Sequence, residues 1–372
     1  MKRIGAFFWK DKVFLIAFIV AIVSMFFIAP SIRYIEYINP KVLIIMFTLM
    51  IAVAGMYEAN FFSFVAIHLV SHFFTIKYIA FVIVVATFFL GMLVTNDAVL
   101  LTLVPFTLFV TKQTKMQRHA LFIVILQTIA ANMGSALTPM GDPQNIYLYA
   151  FYDIPFMTFI TTMLPITITG LILVSVTTLV FIPNTHCEPI MVKPIVDSKR
   201  MIIYTILFFN ALLSVLRVYS IWIGLIVTIV ITLLFCLRLV KKVDVHLLLT
   251  FTMFFIFTGN LSQITNIQSS IQGLLSSPTS VYFTGLFTSQ FISNVPGAVL
   301  LSTFTPAPYS LALLQGVNVG AMGTIISSLA SLITFKFVLK EFPKDGKLYL
   351  KTYSLLSIVF IIIITIVVFL FW

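Results

Sequence analysis

The sequence predicts an all-α polytopic membrane protein, and three observations carry that prediction. Hydrophobic residues make up 61% of the 372 residues and charged residues only 9%, whereas soluble domains contain about 25% charged residues. The apolar residues form runs of about 20, the length that a helix needs to cross a bilayer. Two of these runs are broken in their middle by polar residues, at 95–97 and 293–296. A surface made from this sequence must face lipid rather than water.

The charge distribution predicts how the chain is oriented in the membrane. Cytoplasmic loops of membrane proteins carry an excess of lysine and arginine. A nucleic-acid surface would need its charges on one face of a polar domain, and the sequence offers no such domain. We therefore expect a multi-pass protein of the cell (inner) membrane with a cytoplasmic N-terminus. The formal net charge is +11, and the basic residues lie in short runs between apolar segments, at 2–12, 112–118, 193–200, 238–242 and 340–351.

The chain divides into two halves at its longest polar interruption. That interruption contains three prolines and a basic end, which predicts a cytoplasmic linker. The predicted parts are, in chain order, a first repeat (1–182) with a hairpin (78–110) and an unwinding helix (119–145), the linker (183–200), and a second repeat (201–372) with a hairpin (281–304) and an unwinding helix (311–339).

Each broken apolar run is predicted to be a re-entrant hairpin, which enters the membrane and returns to the same side. In the first run the arm after the break, 98–110, has about 13 residues and would rise about 20 Å, too short to cross comfortably. Irregular backbone at membrane depth is tolerated where protein or a water-filled cavity covers it. The alternative is two full helices joined by a polar turn at the surface. With hairpins, every basic run falls on the cytoplasmic side, provided that 60–74 lies along the interface.

Short motifs recur in the same order in the two halves. The predicted topology places the two hairpins on opposite sides of the membrane, so the repeat would be inverted. Inverted repeats with discontinuous helices are typical of secondary transporters, which bind their substrate near the bilayer midplane. The matched residues are Phe47, Thr48 and Gly55 with Phe251, Thr252 and Gly259; Thr95 and Asn96 with Ser293 and Asn294; and Asn132, Gly134 and Thr138 with Asn318, Gly320 and Thr324.

The polar residues at the breaks have the chemistry of an ion site. Short polar side chains and free carbonyl groups are hard oxygen ligands that suit Na⁺ or a proton relay, whereas exposed N–H groups at helix ends suit an anion. Each site would comprise one hairpin tip and one unwound helix. A coupling Na⁺ would bind at the tips, to Asn96, Asp97 and Asn294.

Two aspartates are candidate ion-binding residues. Asp97 lies amid apolar sequence, where an acidic residue is costly and by default functional. It would bind a cation or a proton, or cap the helix that follows. Asp142 lies in a Gly-Asp-Pro turn sequence and either forms the turn or binds the substrate or ion. Asn145 would close the site or cap the next segment.

The sequence offers no support for an enzyme. It contains no phosphate-binding loop, nucleophile elbow or metal-ligand spacing. We expect no cofactor apart from a coupling Na⁺ or H⁺. The expected partners are the lipid bilayer and a small solute or ion, without nucleic acid, and a homodimer is left open.

These motifs resemble the ion transporter superfamily, and within it the branch of arsenite permeases and NhaD-type antiporters, with citrate and dicarboxylate carriers as relatives. The segments that carry the resemblance are 93–105, 131–145, 293–296 and 316–324. The resemblance implies inward and outward hairpins, a transport domain that moves against a scaffold, and coupling to Na⁺ or H⁺. The residues carried over from the family motifs are Thr95, Asn96, Asp97, Asn132, Gly134, Thr138, Ser293, Asn294, Asn318, Gly320 and Thr324.

The chain departs from its carboxylate-carrying relatives at both tips. Those carriers have Ser-Asn-Thr there, whereas this chain has Asp97 at one tip and Val295-Pro296 at the other. Because a carboxylate repels a di- or tricarboxylate, the first expectation is transport of a small anion or oxyanion-like solute of the arsenite or antimonite type, with Asp97 as the coupling residue. The alternatives are a Na⁺/H⁺ antiporter, in which Asp97 and Asp142 bind the cation, and a citrate or dicarboxylate symporter.

Overall fold

A computed structural model describes residues 11–187 and 197–372, so most of the first basic run and half of the predicted linker lie outside the described ranges. Within these ranges the chain is helical, apart from turns and an isolated antiparallel bridge between Thr75 and His186. The all-α prediction is confirmed. Backbone hydrogen bonds that close within each helix are what allows a chain this apolar to lie in lipid.

The helices of the first half are interrupted at both places where the sequence predicts a break. They are α1 (Lys12–Met25), α2 (Arg33–Tyr37), α3 (Pro40–Glu58), α4 (Phe61–Val70), α5 (Ile76–Leu93), α6 (Asn96–Gln113), α7 (Gln117–Ser135), α8 (Pro143–Phe151) and α9 (Phe156–Phe181).

The second half follows the same order of long, paired and broken helices, with short 3₁₀ turns at Leu237–Lys242, Ala307–Tyr309 and Ile325–Ser327. Its helices are α10 (Ser198–Val215), α11 (Ile221–Phe235), α12 (Val245–Ser262), α13 (Thr265–Leu274), α14 (Pro278–Ile292), α15 (Asn294–Ser302), α16 (Ser310–Val319), α17 (Leu329–Glu341) and α18 (Gly346–Leu370).

Five helices of the described ranges are long and apolar enough to cross a bilayer, namely α3, α5, α9, α12 and α18. Helix α9 and helix α18 expose much of their apolar surface, including Ile172, Val180, Ile362 and Ile366. Such exposed isoleucine and valine side chains are stable only against lipid tails. The chain is therefore a multi-pass membrane protein.

The first helix pair, α5 and α6, has longer arms than the apolar run suggests. Each arm has 18 residues, so the length argument applied to 98–110 was wrong for this pair. Helix α6 includes Thr107 and Thr111, whose hydroxyl groups donate to the carbonyl groups one turn earlier, both at 2.9 Å. These bonds satisfy the polar side chains inside the helix. That the pair is re-entrant stays a prediction.

The second pair, α14 and α15, is shorter than the first. Helix α15 has 9 residues, which rise about 13 Å, under half of the hydrocarbon thickness. Ser293, between the two arms, has a φ of +74°, a left-handed conformation that favours glycine and stores strain. The chain leaves the helical conformation at 136–142 between α7 and α8, and at 320–328 between α16 and α17, apart from the 3₁₀ turn.

Equivalent glycines pack the two broken helices against their helix pairs. A Cβ atom on Gly134 of α7 would lie 2.0 Å from the carbonyl oxygen of Phe88 in α5, and one on Gly320 would lie 2.7 Å from that of Leu286 in α14. Phe88 and Leu286 each lie seven residues before the matched tip residues Thr95 and Ser293. The matched motifs of the two halves thus form equivalent glycine–backbone contacts in the structure. That the repeat is inverted stays a prediction.

An ion cluster joins the halves at the end of α3. The Glu58 carboxylate, with a side chain 13% exposed, accepts from Lys242 Nζ at 2.7 Å and pairs with the Arg238 guanidinium and, at 3.9 Å, with Arg200. The Tyr204 hydroxyl donates to the same carboxylate at 3.1 Å. Glu58, which directly follows an apolar run and would be expected at the membrane interface, thus neutralises cations of the second half.

We expect Glu58→Gln to lower the free energy of unfolding by about 1 kcal/mol, because three half-exposed cations lose the counter-charge of a largely buried carboxylate while the Tyr204 hydrogen bond can persist. Thermal unfolding of the detergent-solubilised protein would measure the change. The control is Glu36→Gln, since Glu36 is exposed and forms no ion pair among the described residues. Equal melting temperatures for the two variants would show that the cluster adds no stability.

Candidate functional site

The tip between α5 and α6 is fixed to the first broken helix by its backbone. Val94 and Thr95 are extended, because the chain must reverse direction there and Thr95 precedes the first residue of α6. The Asn96 N–H then donates to the Gly141 carbonyl at 3.0 Å. The Asn96 side-chain oxygen accepts from the Asp97 N–H at 2.8 Å. The tip therefore lies against the segment where α7 has ended.

The Asn96 side chain extends this attachment into a buried polar cluster. Its amide nitrogen donates to Asn132 Oδ1 at 3.0 Å and to Asp142 Oδ2 at 2.7 Å. Asn96, Asn132 and Asp142 are all buried. Buried polar groups of this kind are stable only when their partners are in place. Residues that the sequence separates by up to 46 positions therefore meet in one cluster.

Asn132 connects that cluster to the second half. Its oxygen also accepts from Ser328 Oγ at 3.2 Å, and its amide nitrogen donates to Ser331 Oγ at 3.3 Å and to the Ala321 carbonyl at 3.5 Å. With Asn96 this makes four hydrogen bonds, the full capacity of a side-chain amide. In this conformation Asn132 has no hydrogen-bonding group left for a ligand. Three of its four bonds reach the second half, so it holds the two halves together.

A second amide junction lies at Asn318. Its amide nitrogen donates to Asn145 Oδ1 at 2.7 Å, and its oxygen accepts from Gln144 Nε2 at 3.4 Å. Asn145 in turn donates to the carbonyl groups of Ser135 and Thr138, at 3.1 and 3.2 Å. These bonds span the gap between α7 and α8. Asn145 and Asn318 are thus engaged with protein partners, like Asn132.

Asp142 lies where open hydrogen-bonding groups remain. It directly precedes α8, and its carboxylate lies beside the side chains of Asn96, Gln144, Asn294 and Ser135. The Asn294 amide nitrogen and the Gln144 side-chain oxygen are buried. Neither atom forms a hydrogen bond of good geometry with another described residue. A free donor and a free acceptor beside a buried carboxylate are the groups that a bound ion or solute would satisfy.

A cavity of about 450 Å³ leads to the first tip. Its wall is mostly apolar, and the charged side chains described in it are Asp97, Lys242 and Asp244. Lys242 is already paired with Glu58, whereas Asp97 and Asp244 form no ion pair among the described residues. The lining residues are Met46, Leu49, Met50, Val53, Ala54, Tyr57, Thr95, Asp97, Ala98, Leu101, Pro143, Ile146, Lys242, Asp244 and Leu247.

The structure separates the expected site residues into three groups. Asn96, Asn132, Asp142, Asn145, Asn294 and Asn318 lie in or beside the buried cluster, and Thr95 and Asp97 line the cavity. Gly134 and Gly320 lie at contacts between helices, where a side chain would meet the backbone of the neighbouring helix. The remaining hydroxyl groups face backbone carbonyls: Thr138 bonds to Met92, Ser293 to Ser327 and Thr324 to Gln290.

Two of the positions expected in unwound backbone lie elsewhere. Asn132 and Asn318 are inside α7 and α16, and the chain leaves the helix only after Ser135 and Val319. Both residues lie in the last turn of their helices, where carbonyl groups lack a partner within the helix; the Asn132 and Ser135 carbonyls instead accept from Ser135 Oγ and Asn145 Nδ2. The bends begin four residues after Asn132, at Ala136, and two residues after Asn318, at Gly320.

Sequence reasoning missed several members of the site. Ser328 and Ser331 follow Thr324 in a serine-rich stretch, Ser-Ser-Leu-Ala-Ser at 327–331, which was the available signal. Asp244 follows a basic run, and that position marked it as a loop residue rather than a cavity residue. Tyr353, which contacts Ser331 at 2.8 Å, lies in an apolar helix with no local signal.

A buried polar cluster between two broken helices, reached by a cavity and enclosed by apolar helices, defines a membrane transport protein. The comparison with protein families makes the class specific: the model of the citrate transporter family matches residues 6–305, and the chain belongs to that family. The uncharacterized transporter MJ0456 of Methanocaldococcus jannaschii is 31% identical over 304 residues, covering 80% of each chain. The inner membrane protein YbiR of Escherichia coli K12 is 29% identical over 334 residues, covering 88% of this chain and 87% of the relative.

Proposed function

We propose that this protein is a secondary active transporter, driven by a gradient of H⁺ or Na⁺, that moves a small anion or oxyanion-like solute across the cell (inner) membrane. The observation that supports it is the pairing of unsatisfied groups around Asp142. The Gln144 oxygen and the Asp142 carboxylate suit a cation, while the Asn294 amide nitrogen suits an oxygen of the solute. Cation and solute sites that share residues couple the two binding events.

Asp97 is the proposed coupling residue because of its position. It lies on the cavity wall, one residue after Asn96, which donates to Asp142. An ion entering the cavity meets Asp97 before it reaches the buried cluster. The coupling Na⁺ expected at Asn96, Asp97 and Asn294 stays a proposal. The Asn96 oxygen already accepts from the Asp97 N–H, so we now propose Asp97 rather than Asn96 as the ligand at the first tip.

The proposal leaves several candidate solutes, and the charge of the site and the family match favour different ones. Asp97, Asp142 and Asp244 place negative charge along the path, which favours a neutral oxyanion-type solute such as arsenite or antimonite. The family match favours a second candidate, a citrate or dicarboxylate symporter. A carboxylate solute would then need the coupling cation to neutralise these aspartates first. A Na⁺/H⁺ antiporter without any solute is the third outcome of the test.

The proposed orientation follows from the cavity and the basic residues. The cavity extends from the first tip to Lys242, and Arg200 and Arg238 lie at the same end of the molecule. The positive-inside rule places these residues in the cytoplasm. In this orientation the N-terminus is cytoplasmic and the conformation is inward-facing.

Uptake by proteoliposomes would test the proposal. Purified protein is reconstituted, a pH or Na⁺ gradient is imposed, and the accumulation of arsenite, antimonite, citrate and succinate is followed. We expect at least one solute to accumulate only while the gradient persists, with an ionophore that collapses the gradient as the control. Cation exchange in the absence of every solute would select the antiporter, and uptake that is insensitive to the ionophore would indicate a channel and reject the proposal.

A further inference from the structure

A tyrosine of the last helix is two hydrogen bonds away from the central cluster. The hydroxyl groups of Tyr353 and Ser331 lie 2.8 Å apart, and Ser331 Oγ accepts from Asn132 Nδ2 at 3.3 Å. All three side chains are buried. The outer face of α18 is otherwise apolar and exposed, so Tyr353 is the polar link from this lipid-facing helix to the site.

The orientation of the Asn132 amide depends on this link. Asn132 Oδ1 accepts from Asn96 and from Ser328, so the amide must keep its oxygen towards the first tip. On the opposite side, the Ala321 carbonyl lies at 3.5 Å, and Ser331 is the closer acceptor. A rotated amide would direct its N–H groups at the donors of Asn96 and Ser328. With its own hydrogen donated to the Tyr353 hydroxyl, Ser331 Oγ offers only lone pairs to Asn132 and so opposes that rotation.

We propose that Tyr353 is a positioning residue, which acts through Ser331 to hold the Asn132 amide towards Asn96 and so keeps the first tip in place beside Asp142. Tyr353 itself contacts neither the cavity nor the Asp142 carboxylate. The transport consequence rests on the function proposed above, whereas the structural consequence, a tighter tip, does not.

Tyr349 provides a matched control in the same helix. Its ring stacks on that of Tyr353 with centroids 5.9 Å apart, and it is equally buried. Its hydroxyl group, however, lies 3.3 Å from Thr128 Oγ1 and has no link to Asn132. Tyr349→Phe and Tyr353→Phe therefore remove the same atom from the same stack, and differ only in the partner that is lost.

Cysteine labelling would measure the position of the tip without any transport assay. Ala98 lines the cavity next to the tip, so Ala98→Cys would be labelled in membranes by a small cationic methanethiosulfonate. The native Cys187 and Cys236 are buried, which keeps the background low. A cysteine at Gly273, where a side chain meets open space, reports general changes in labelling.

We expect Tyr353→Phe and Ser331→Ala each to increase the labelling rate at position 98 by about three- to ten-fold. A change of that size corresponds to the loss of about one net hydrogen bond that holds the tip in place. The double variant should match the single variants, because both act through one chain of contacts. Tyr349→Phe should leave the rate within about two-fold of the parent, and labelling at position 273 should not change.

Equal labelling at position 98 in Tyr353→Phe, Tyr349→Phe and the parent would overturn the inference, as would additive effects in the double variant. Uptake of the solutes named above is measured in parallel. If the parent transports none of them while Tyr353→Phe alone speeds labelling, the proposed function fails and the positioning role stands. If the parent transports a solute and Tyr353→Phe leaves labelling unchanged, the positioning role fails and the proposed function stands.

Discussion

Asp97→Asn is expected to reduce gradient-driven uptake to the level of protein-free liposomes. The substitution keeps the size of the side chain and removes the carboxyl group that the cavity presents next to the buried cluster. An acidic residue at membrane depth is costly and is retained for its charge or its proton. Without it, the coupling ion has no first binding group. Initial uptake rates in proteoliposomes under an imposed gradient would measure the loss.

The loss should leave folding intact, because the Asp97 carboxylate forms no hydrogen bond or ion pair with other described residues. The melting temperature of Asp97→Asn should therefore match that of the parent. Asp244→Asn is the matched control: it makes the same change at the far end of the same cavity, where the side chain accepts from the Leu247 N–H. We expect this variant to retain most uptake. Full gradient-driven uptake by Asp97→Asn would remove Asp97 from the coupling mechanism.

Gly134→Ala is expected to have the largest effect on stability. The added Cβ atom would lie 2.0 Å from the carbonyl oxygen of Phe88 and 2.7 Å from its carbonyl carbon. Both are backbone atoms of α5, so no side chain can rotate away and the two helices must separate. Overpacking of buried sites costs about 1–3 kcal/mol and occasionally more, and a clash with backbone belongs at the upper end. Yield of monodisperse protein and its melting temperature would report the loss.

Gly273→Ala tests whether the effect is specific to that contact. An added Cβ atom on Gly273 meets no atom within 4 Å, and alanine favours a helix over glycine by about 1 kcal/mol. This variant should be as stable as the parent or slightly more stable. If Gly134→Ala unfolded at the parental temperature, α5 and α7 would have to lie further apart than the structure places them.

The site contains amides that are engaged with protein partners and groups that are open. Asn132 makes four hydrogen bonds that reach both halves, and Asn145 and Asn318 bond to each other across the halves. The Gln144 oxygen and the Asn294 amide nitrogen, both beside Asp142, complete no hydrogen bond among the described residues. This division gives the asparagines of the two matched motifs a role in holding the broken helices. It leaves ion and solute binding to a smaller set, which the uptake and labelling experiments address separately.

The composition and order of residues were enough to predict the membrane class and the places where helices break. Apolar runs need lipid, and Asp97, Pro139 and Gly320 interrupt them, so these properties follow from short stretches of sequence. The length of α6 was not predictable in the same way. Its last turns contain threonine residues whose hydroxyl groups are satisfied by the preceding turn, and hydropathy counts such residues as polar.

Only the tertiary structure decided which polar groups are satisfied. Ser331 lies 199 positions from Asn132, and Asn318 lies 173 positions from Asn145. Tyr353 reaches the site from an otherwise lipid-facing helix. Whether an amide is free to bind an ion depends on partners this distant, and no local pattern encodes them. Sequence alone thus determined that this protein lies in lipid and carries polar breaks, and the packing of its two halves determined which of those polar groups remain open.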